Sequence, residues 1–328
     1  MDALAGILAS GLNSAIGPTA IVFALAAIGL NVHYGFTGLL NFGQVGFMLV
    51  GAYGMAISVS IHGMPFWAGI LFGMLAAVVL ALLLGFPTLR LRTDYLAIST
   101  IAAAEIIRFM ARSTGAREIT GGPFGIPSQV GGAGFDQTWN AWNPFPPGRY
   151  SLGWLQFTHT RLWVVVAGWT LVALLTLLVW MLMRSPWGRV LKSIREDEDA
   201  ARALGKNVFA YKMQALVLGG VIGGFAGIVL ALNQAAITPD QFLPQLTFYA
   251  YAVLIMGGAA TVMGPVVGAV VFWFLLSAVE RALLTADVLP TATIGPARLS
   301  FVGVLLVALM VFRPQGILGS KREMVLDA

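Results

Sequence analysis

Residues able to do chemistry are few in this chain, and the densest set lies between Arg184 and Lys212. There Glu196, Asp197, Glu198 and Asp199 follow one another, succeeded by Arg202 and Gly205. Acids first, a base later and a glycine last is the order that a short helix dipole favours, and Glu198 and Arg202 stand four apart, close enough to pair. Ala200, Ala201, Ala203 and Leu204 give this helix a face of small side chains that can sit low in a groove on another protein. Two turns of helix do not hold alone in water, so flanking segments or a partner must order it. The alternative for the same residues is a solvated loop.

A second pair, Glu105 and Arg108, stands three apart and is expected to neutralise itself near the outer end of a span, with Asp94 at the inner end. Glu105 is also a candidate to line a solute path, since an acid within the membrane is a functional candidate by default. There is no cysteine, and His33, His62 and His159 lie too far apart for metal-ligand spacing. No G-x-x-x-x-G-K-[ST] motif occurs, so ATP is not expected to bind this chain. No cluster of histidine, aspartate or serine has the spacing of a nucleophile or metal site, which argues against an enzyme and against a bound cofactor.

The elements that carry these residues are set by composition. With 58% hydrophobic residues, 10% charged and 39 glycines in 328 positions, the chain has too little polar surface for a soluble globule of this size. It reads as an all-α polytopic integral membrane protein, a single transmembrane domain over 1–328. Apolar runs of membrane-spanning length lie near 15–32, 39–60, 64–86, 95–111, 161–183, 212–232, 245–260, 262–283 and 298–312, about nine spans. The opening MDALAGILAS has no basic n-region, so the first apolar segment is expected to remain as a helix.

Placing the 184–212 loop in the cytoplasm puts Arg90, Arg92, Arg313, Lys321 and Arg322 inside with it and the N-terminus outside, as the positive-inside rule asks. The net charge of +5 is then a matter of topology and not of nucleic-acid binding. The 113–160 segment, rich in glycine, proline and tryptophan, becomes an ordered extracytoplasmic loop with Trp139, Trp142 and Trp154 resting at the membrane interface.

Two stretches are too glycine-rich for comfortable membrane helices. GLNVHYGFTGLLNFGQVGFMLVGAYG carries Gly35, Gly38, Gly43, Gly46, Gly51 and Gly54, and a break or re-entrant bend is expected there. Backbone groups freed by a break must be satisfied by protein or a watery cavity, which makes Asn31, Asn41 and Gln44 candidates for lining a translocation path. MGGAATVMGPVVGAV, with Gly257, Gly258, Gly264 and Pro265, offers a second break. Tight helix packing through small residues is the alternative for any one glycine, and Gly220 with Gly224, and Gly223 with Gly227, form stripes suited to it.

Asp199-Ala200-Ala201, three residues and Gly205 resemble the EAA---G pattern of ABC importer permeases, with Asp for Glu and without the pattern's downstream I-x-LP. Gly35, Gly38, Asn41, Gly43, Phe47, Gly51, Ala52 and Tyr53 resemble the signature of branched-chain amino acid permeases. Asp94-Tyr95, Glu105, Thr120-Gly121-Gly122-Pro123 with Gly125-Ile126, and the RPQGILG tail, are similar to the LivM-type branch of that family.

The resemblance implies a bacterial inner-membrane permease whose 184–212 loop holds a cytoplasmic coupling helix docking on an ATPase subunit. Glu198, Asp199, Ala200, Ala201, Arg202, Leu204 and Gly205 would be its coupling residues. It also implies a LivH-like second permease, two cytoplasmic ATPases that bind ATP and Mg, a periplasmic solute-binding protein and surrounding lipid. Branched-chain amino acids are the implied solute, with urea, short amides or aromatic acids as alternatives. From the residues alone, an ATP-independent channel or secondary transporter using Glu105 or Glu280 stays open.

Overall fold

The structure, a computed structural model, describes residues 2–91, 93–127, 134–153, 155–286, 290–313 and 315–319. Apolar segments in lipid must satisfy their own amides, and helices do so internally. The described residues accordingly form α1 (Asp2–Ile16), α2 (Pro18–Leu30), α3 (Gln44–Ala56), α4 (Phe66–Thr88), α5 (Thr93–Arg112), α6 (Arg117–Thr120) and α7 (Phe135–Asn140). The second half adds α8 (His159–Arg184), α9 (Pro186–Glu196), α10 (Glu198–Ala203), α11 (Val208–Gln234), α12 (Gln245–Gly257), α13 (Gly264–Ala286) and α14 (Thr291–Phe312). Helices α2 and α3 each continue into a π-helical turn, Asn31–Gly35 and Ile57–Ile61.

Six segments among the described residues are long and apolar enough to cross a membrane: Pro18–Gly35, Gln44–Ile61, Phe66–Thr88, His159–Arg184, Val208–Gln234 and Gly264–Ala286. The other three apolar runs of the sequence fall on α5, α12 and α14. Helix α5 carries the Glu105–Arg108 pair, α12 has 13 residues, and the apolar stretch of α14 is Thr293–Leu305. Helix α1, which lies largely ahead of the first run, packs along α13, with the Ser10 and Ser277 hydroxyls 2.9 Å apart.

Helix α2 is the axis of the fold and is buried from Ala20 to Leu30, its alanines letting neighbours approach on every side. Helix α11 lies against α2 and α3 through the glycine stripes. A methyl group on Gly219 would stand 2.5 Å from the Gly29 carbonyl of α2, and one on Gly51 of α3 would stand 2.5 Å from the Gly224 backbone. Backbone contact this close is how helices associate where lipid removes the hydrophobic drive between them. On the outside, α4 exposes Trp67, Leu71, Leu75, Leu82 and Phe86, and α8 exposes Leu174, Leu177 and Met181, an apolar surface suited to lipid.

The 113–160 segment holds short helices and strands. β1 (Ile126–Pro127) pairs antiparallel with β4 (Ala236–Ile237), tying this segment to the end of α11, while β2 (Arg149–Leu152) and β3 (Leu155–Thr158) form a hairpin with Tyr150 opposite Phe157. Trp139 does not rest at the surface: it is buried, stacked 5.0 Å from Trp163 and 5.2 Å from Phe66. Trp142 is half exposed, and Trp154 lies outside the described residues, as do the side chains of Arg92 and Asp94.

Candidate functional site

Helix α10 is held at both ends by its own sequence. Asp197, in extended backbone, caps it by accepting from the Asp199 and Ala200 amides, each at 2.9 Å. At the other end Gly205 turns left-handed at φ +77°, its amide donating to the Arg202 carbonyl at 3.0 Å and the Lys206 amide to that of Ala201 at 3.2 Å. Arg202 bridges Glu198 and Asp199 at 2.9 Å each, and Lys212 of α11 closes on the other oxygen of Glu198. Arg202 and Asp199 are largely exposed, so their pairing orients the helix more than it stabilises it, whereas Lys212 is mostly buried.

The small residues divide between two faces. Ala201 is buried and packs with Ile194 of α9 and Val208 of α11, seating α10 on the rest of the protein. Asp199, Ala200, Ala203, Leu204 and Gly205 are exposed, and Leu204, an apolar side chain at 77% exposure, is the most prominent. Beside them a cleft of about 1020 Å³ runs to the turn after α4, lined by Arg90, Glu198, Asp199, Arg202, Lys206 and Lys212 among others. Arg90 stands there over the rings of Phe86 and Phe209.

The base of this module is α9, a second helix of the 184–212 segment ahead of the short helix expected there. Its signals were present: Ser185-Pro186 as a helix start, and Gly188, Leu191 and Ile194 at a spacing of three, which are its buried residues. Next to Ile194 stands Arg195, whose Nη1 donates to the Gly35 carbonyl of the π turn at 2.6 Å.

Asn31, Asn41 and Gln44 are all fully buried around that turn. Asn31 reaches the second irregular segment, donating to the Thr261 carbonyl at 2.7 Å and accepting from the Ala260 amide at 2.9 Å. Asn41 donates to Gln44 Oε1 at 3.2 Å and to His33 Nδ1 at 3.1 Å, while its own oxygen accepts from the Gly43 amide at 2.9 Å. That leaves the His33 proton on Nε2, donating to the Leu216 carbonyl at 3.1 Å, and Gln44 Nε2 donates to the Gly219 carbonyl at 3.2 Å. Metal-ligand spacing does not single out His33; its position between Asn31 and Asn41 in a glycine-rich run is its signal in the sequence.

Gly38 turns left-handed at φ +76° and lies against Arg195, and Gly35 lies against Asn31 and the Ala260 amide. Gly43 abuts the Thr100 carbonyl, and Gly51 lies against Gly224. Between α12 and α13, Gly257, Gly258 and Gly264 pack backbone to backbone, with Gly258 at φ +110°. The tail joins them there: the Ile317 and Leu318 amides donate to the Met256 and Gly257 carbonyls at 2.9 and 3.0 Å. Glu105 is apart from this group, held in a two-pronged pair by Arg108 at 2.7 and 2.9 Å, and Arg108 also reaches Asp240 at 3.2 Å. No group of three metal-ligating side chains occurs among the described residues.

Apolar helices around a buried polar seam, two of them ending in irregular segments within the bundle, define a multi-pass membrane protein of the transporter class. The family described as branched-chain amino acid transport system / permease component matches residues 14–313, and the chain belongs to this family of ABC transporter permeases. It is 31% identical over 317 residues to the high-affinity branched-chain amino acid transport system permease protein LivM of Escherichia coli K12, covering 94% of this chain and 70% of that protein. A probable LivM of Methanocaldococcus jannaschii is 25% identical over 92% of this chain and 91% of its own length. The nucleoside ABC transporter permease protein NupC of Lactococcus lactis is 29% identical over 59% of each chain.

Proposed function

We propose that this chain is a transmembrane subunit of an ATP-driven importer for branched-chain amino acids in the bacterial inner membrane. It pairs with a LivH-like permease, and the two form the translocation path between them. Two cytoplasmic ATPases bind ATP and Mg, and a periplasmic binding protein delivers the solute. The chain is one transmembrane domain over 1–328, with its N-terminus outside, the 113–160 loop outside, and the 184–212 loop and C-terminus in the cytoplasm.

One observation carries the reading: α10 is pinned through Ala201 and presents Asp199, Ala200, Leu204 and Gly205 outward on a capped, charge-braced helix beside an open cleft. Such a helix is a rigid lever that a partner can push. The segments at Gly35–Gly43 and Gly257–Gly264 are the elements that rearrange to open the path, with Asn31, Asn41 and Gln44 exchanging their present partners for solute or water as they do.

The test is ATPase activity of the complex in lipid, co-expressed with its genomic neighbours, against pairs of binding protein and solute. Because one relative is named for nucleosides, the panel holds nucleosides beside leucine-like amino acids, urea, short amides and aromatic acids. Stimulation by a leucine-like amino acid with its binding protein is the expected result. Solute flux without ATP through liposomes carrying this chain alone would replace the importer reading with that of a channel or secondary transporter.

A further inference from the structure

We infer that Arg195 is a positioning residue that ties the α9–α10 module to both irregular segments of the bundle, so that movement of one is movement of all three. The inference deepens the proposed function and rests on it for the role of α10, but the linkage itself rests on hydrogen bonds within this chain.

A helix end leaves carbonyls without partners, and each must be satisfied. Where α2 ends in its π turn, the Asn31 carbonyl accepts from the Phe36 amide, that of Val32 from the Thr37 hydroxyl at 2.8 Å, that of His33 from the Leu39 amide at 2.8 Å, and that of Tyr34 from the Gly38 amide at 3.1 Å. All four partners come from the same stretch of chain. The Gly35 carbonyl differs: its partner is the Arg195 guanidinium, 160 residues away, a cation at the negative end of a helix. No ion pair engages Arg195 among the described residues, and its Nη1 donates to this helix end. Gly38 lies against the Arg195 Cα and Cγ, where a side chain of its own would crowd the arginine.

The line continues in both directions. Toward the cytoplasm, Arg195 follows Ile194, whose side chain is the seat of Ala201 of α10. Into the bundle, Asn31 lies one turn before Gly35 and grips the Ala260 amide and the Thr261 carbonyl, the middle of the segment between α12 and α13. A displacement of α10 therefore reaches the end of α2 through one charge-assisted bond, and the second segment through one asparagine. Nothing in the sequence spacing of Ile194, Arg195, Gly35 and Asn31 marks this route; it exists only in the fold.

The experiment uses the full chain co-expressed with its partners in nanodiscs, as Arg195→Ala and Arg195→Lys beside the wild type. Hydrogen exchange is followed at 36–43, 259–264 and 198–205, and leucine uptake per ATP hydrolysed is measured after reconstitution. In Arg195→Ala, exchange at both 36–43 and 259–264 is expected to rise by about tenfold, the scale of one lost charge-assisted bond, with 198–205 unchanged. Uptake per ATP is expected to fall by about tenfold while basal hydrolysis persists. Lysine, which can still reach a carbonyl as a single donor, is expected to restore most of both and keeps the test open should the alanine variant fail to fold. A rise confined to 36–43, or normal uptake per ATP in folded Arg195→Ala, overturns the inference. If the wild type hydrolyses no ATP, the importer reading fails and the exchange measurements decide the linkage on their own.

Discussion

Tryptophan at Ala200 and at Ala201 should do different damage, although the two residues are adjacent and identical. Ala200 is exposed, so a larger side chain there displaces nothing, and the expected change in stability is within about 0.5 kcal/mol. It does add a ring to the presented face, which holds any docked surface off by about 3.5 Å, the thickness of one layer of carbon contact. Ala201 is 2% exposed and wedged between Ile194 and Val208. Overpacking that site costs about 1–3 kcal/mol and pushes α10 off α9. The assay is thermal unfolding of each variant in detergent, followed by ATP-driven uptake and ATPase activity in proteoliposomes. Ala200→Trp should unfold at the wild-type temperature and hydrolyse ATP without transporting; Ala201→Trp should unfold earlier. A stable Ala200→Trp that couples normally refutes the assignment of α10 as the coupling element.

The same physics sets further expectations. Gly205→Ala forces a left-handed alanine at a position with open space around it, so the cost is conformational alone, about 1 kcal/mol, read as faster amide exchange at 201–206, with Gly205→Asn milder. Arg108→Ala leaves Glu105 unpaired in a mostly buried site and should cost about 3 kcal/mol in thermal unfolding, whereas a single loss at exposed Arg112 should cost under about 1 kcal/mol. Gly227→Ala drives a methyl into the Met48 carbonyl and should destabilise by about 1–3 kcal/mol, while Gly303→Ala, in open space on α14, should be neutral or stabilising. Burial raises the Asp136 carboxyl above its usual range, against the donation of Asn140. Its charged form is thus disfavoured in the folded loop, so stability falls as pH rises through that raised value, and Asp136→Asn should flatten this part of the unfolding profile.

What was legible in the sequence follows the range of the interaction. Helix α10 could be read from ten residues because its cap, its charge order and its terminal glycine are local, and Glu105 with Arg108 likewise share one helix. The buried side of α10 could not, since Ala201 faces inward only because α9 passes beneath it, and α9 was hidden in a run read as polar. Asp240 joining Arg108 across 132 residues, and Trp139 stacking on Trp163 of α8 and against Phe66 of α4, depend on how distant segments meet. Apolar runs mark the helices, but among the described residues six segments meet the length and composition of a span, against about nine apolar runs in the sequence. Helix α5 carries the charges of Glu105, Arg108 and Arg112, and α12 is only 13 residues long.

The polar residues nominated for a path show why type and spacing stop short of role. Asn31, Asn41 and Gln44 were chosen because a broken membrane helix must find partners for its freed groups, and that argument is indifferent to whether the partner is protein or water. Here it is protein: Asn31 serves the segment at Ala260 and Thr261, and Asn41, Gln44 and His33 serve each other and the carbonyls of α11. In a dry interior each of those bonds is costly to abandon without a replacement. Any opening at the Gly35 turn must therefore find new partners for each of these groups. These residues touch α2, α3, α11 and the α12–α13 junction, so a push arriving through Arg195 meets buried polar contacts to all four, each of which resists being left without a partner.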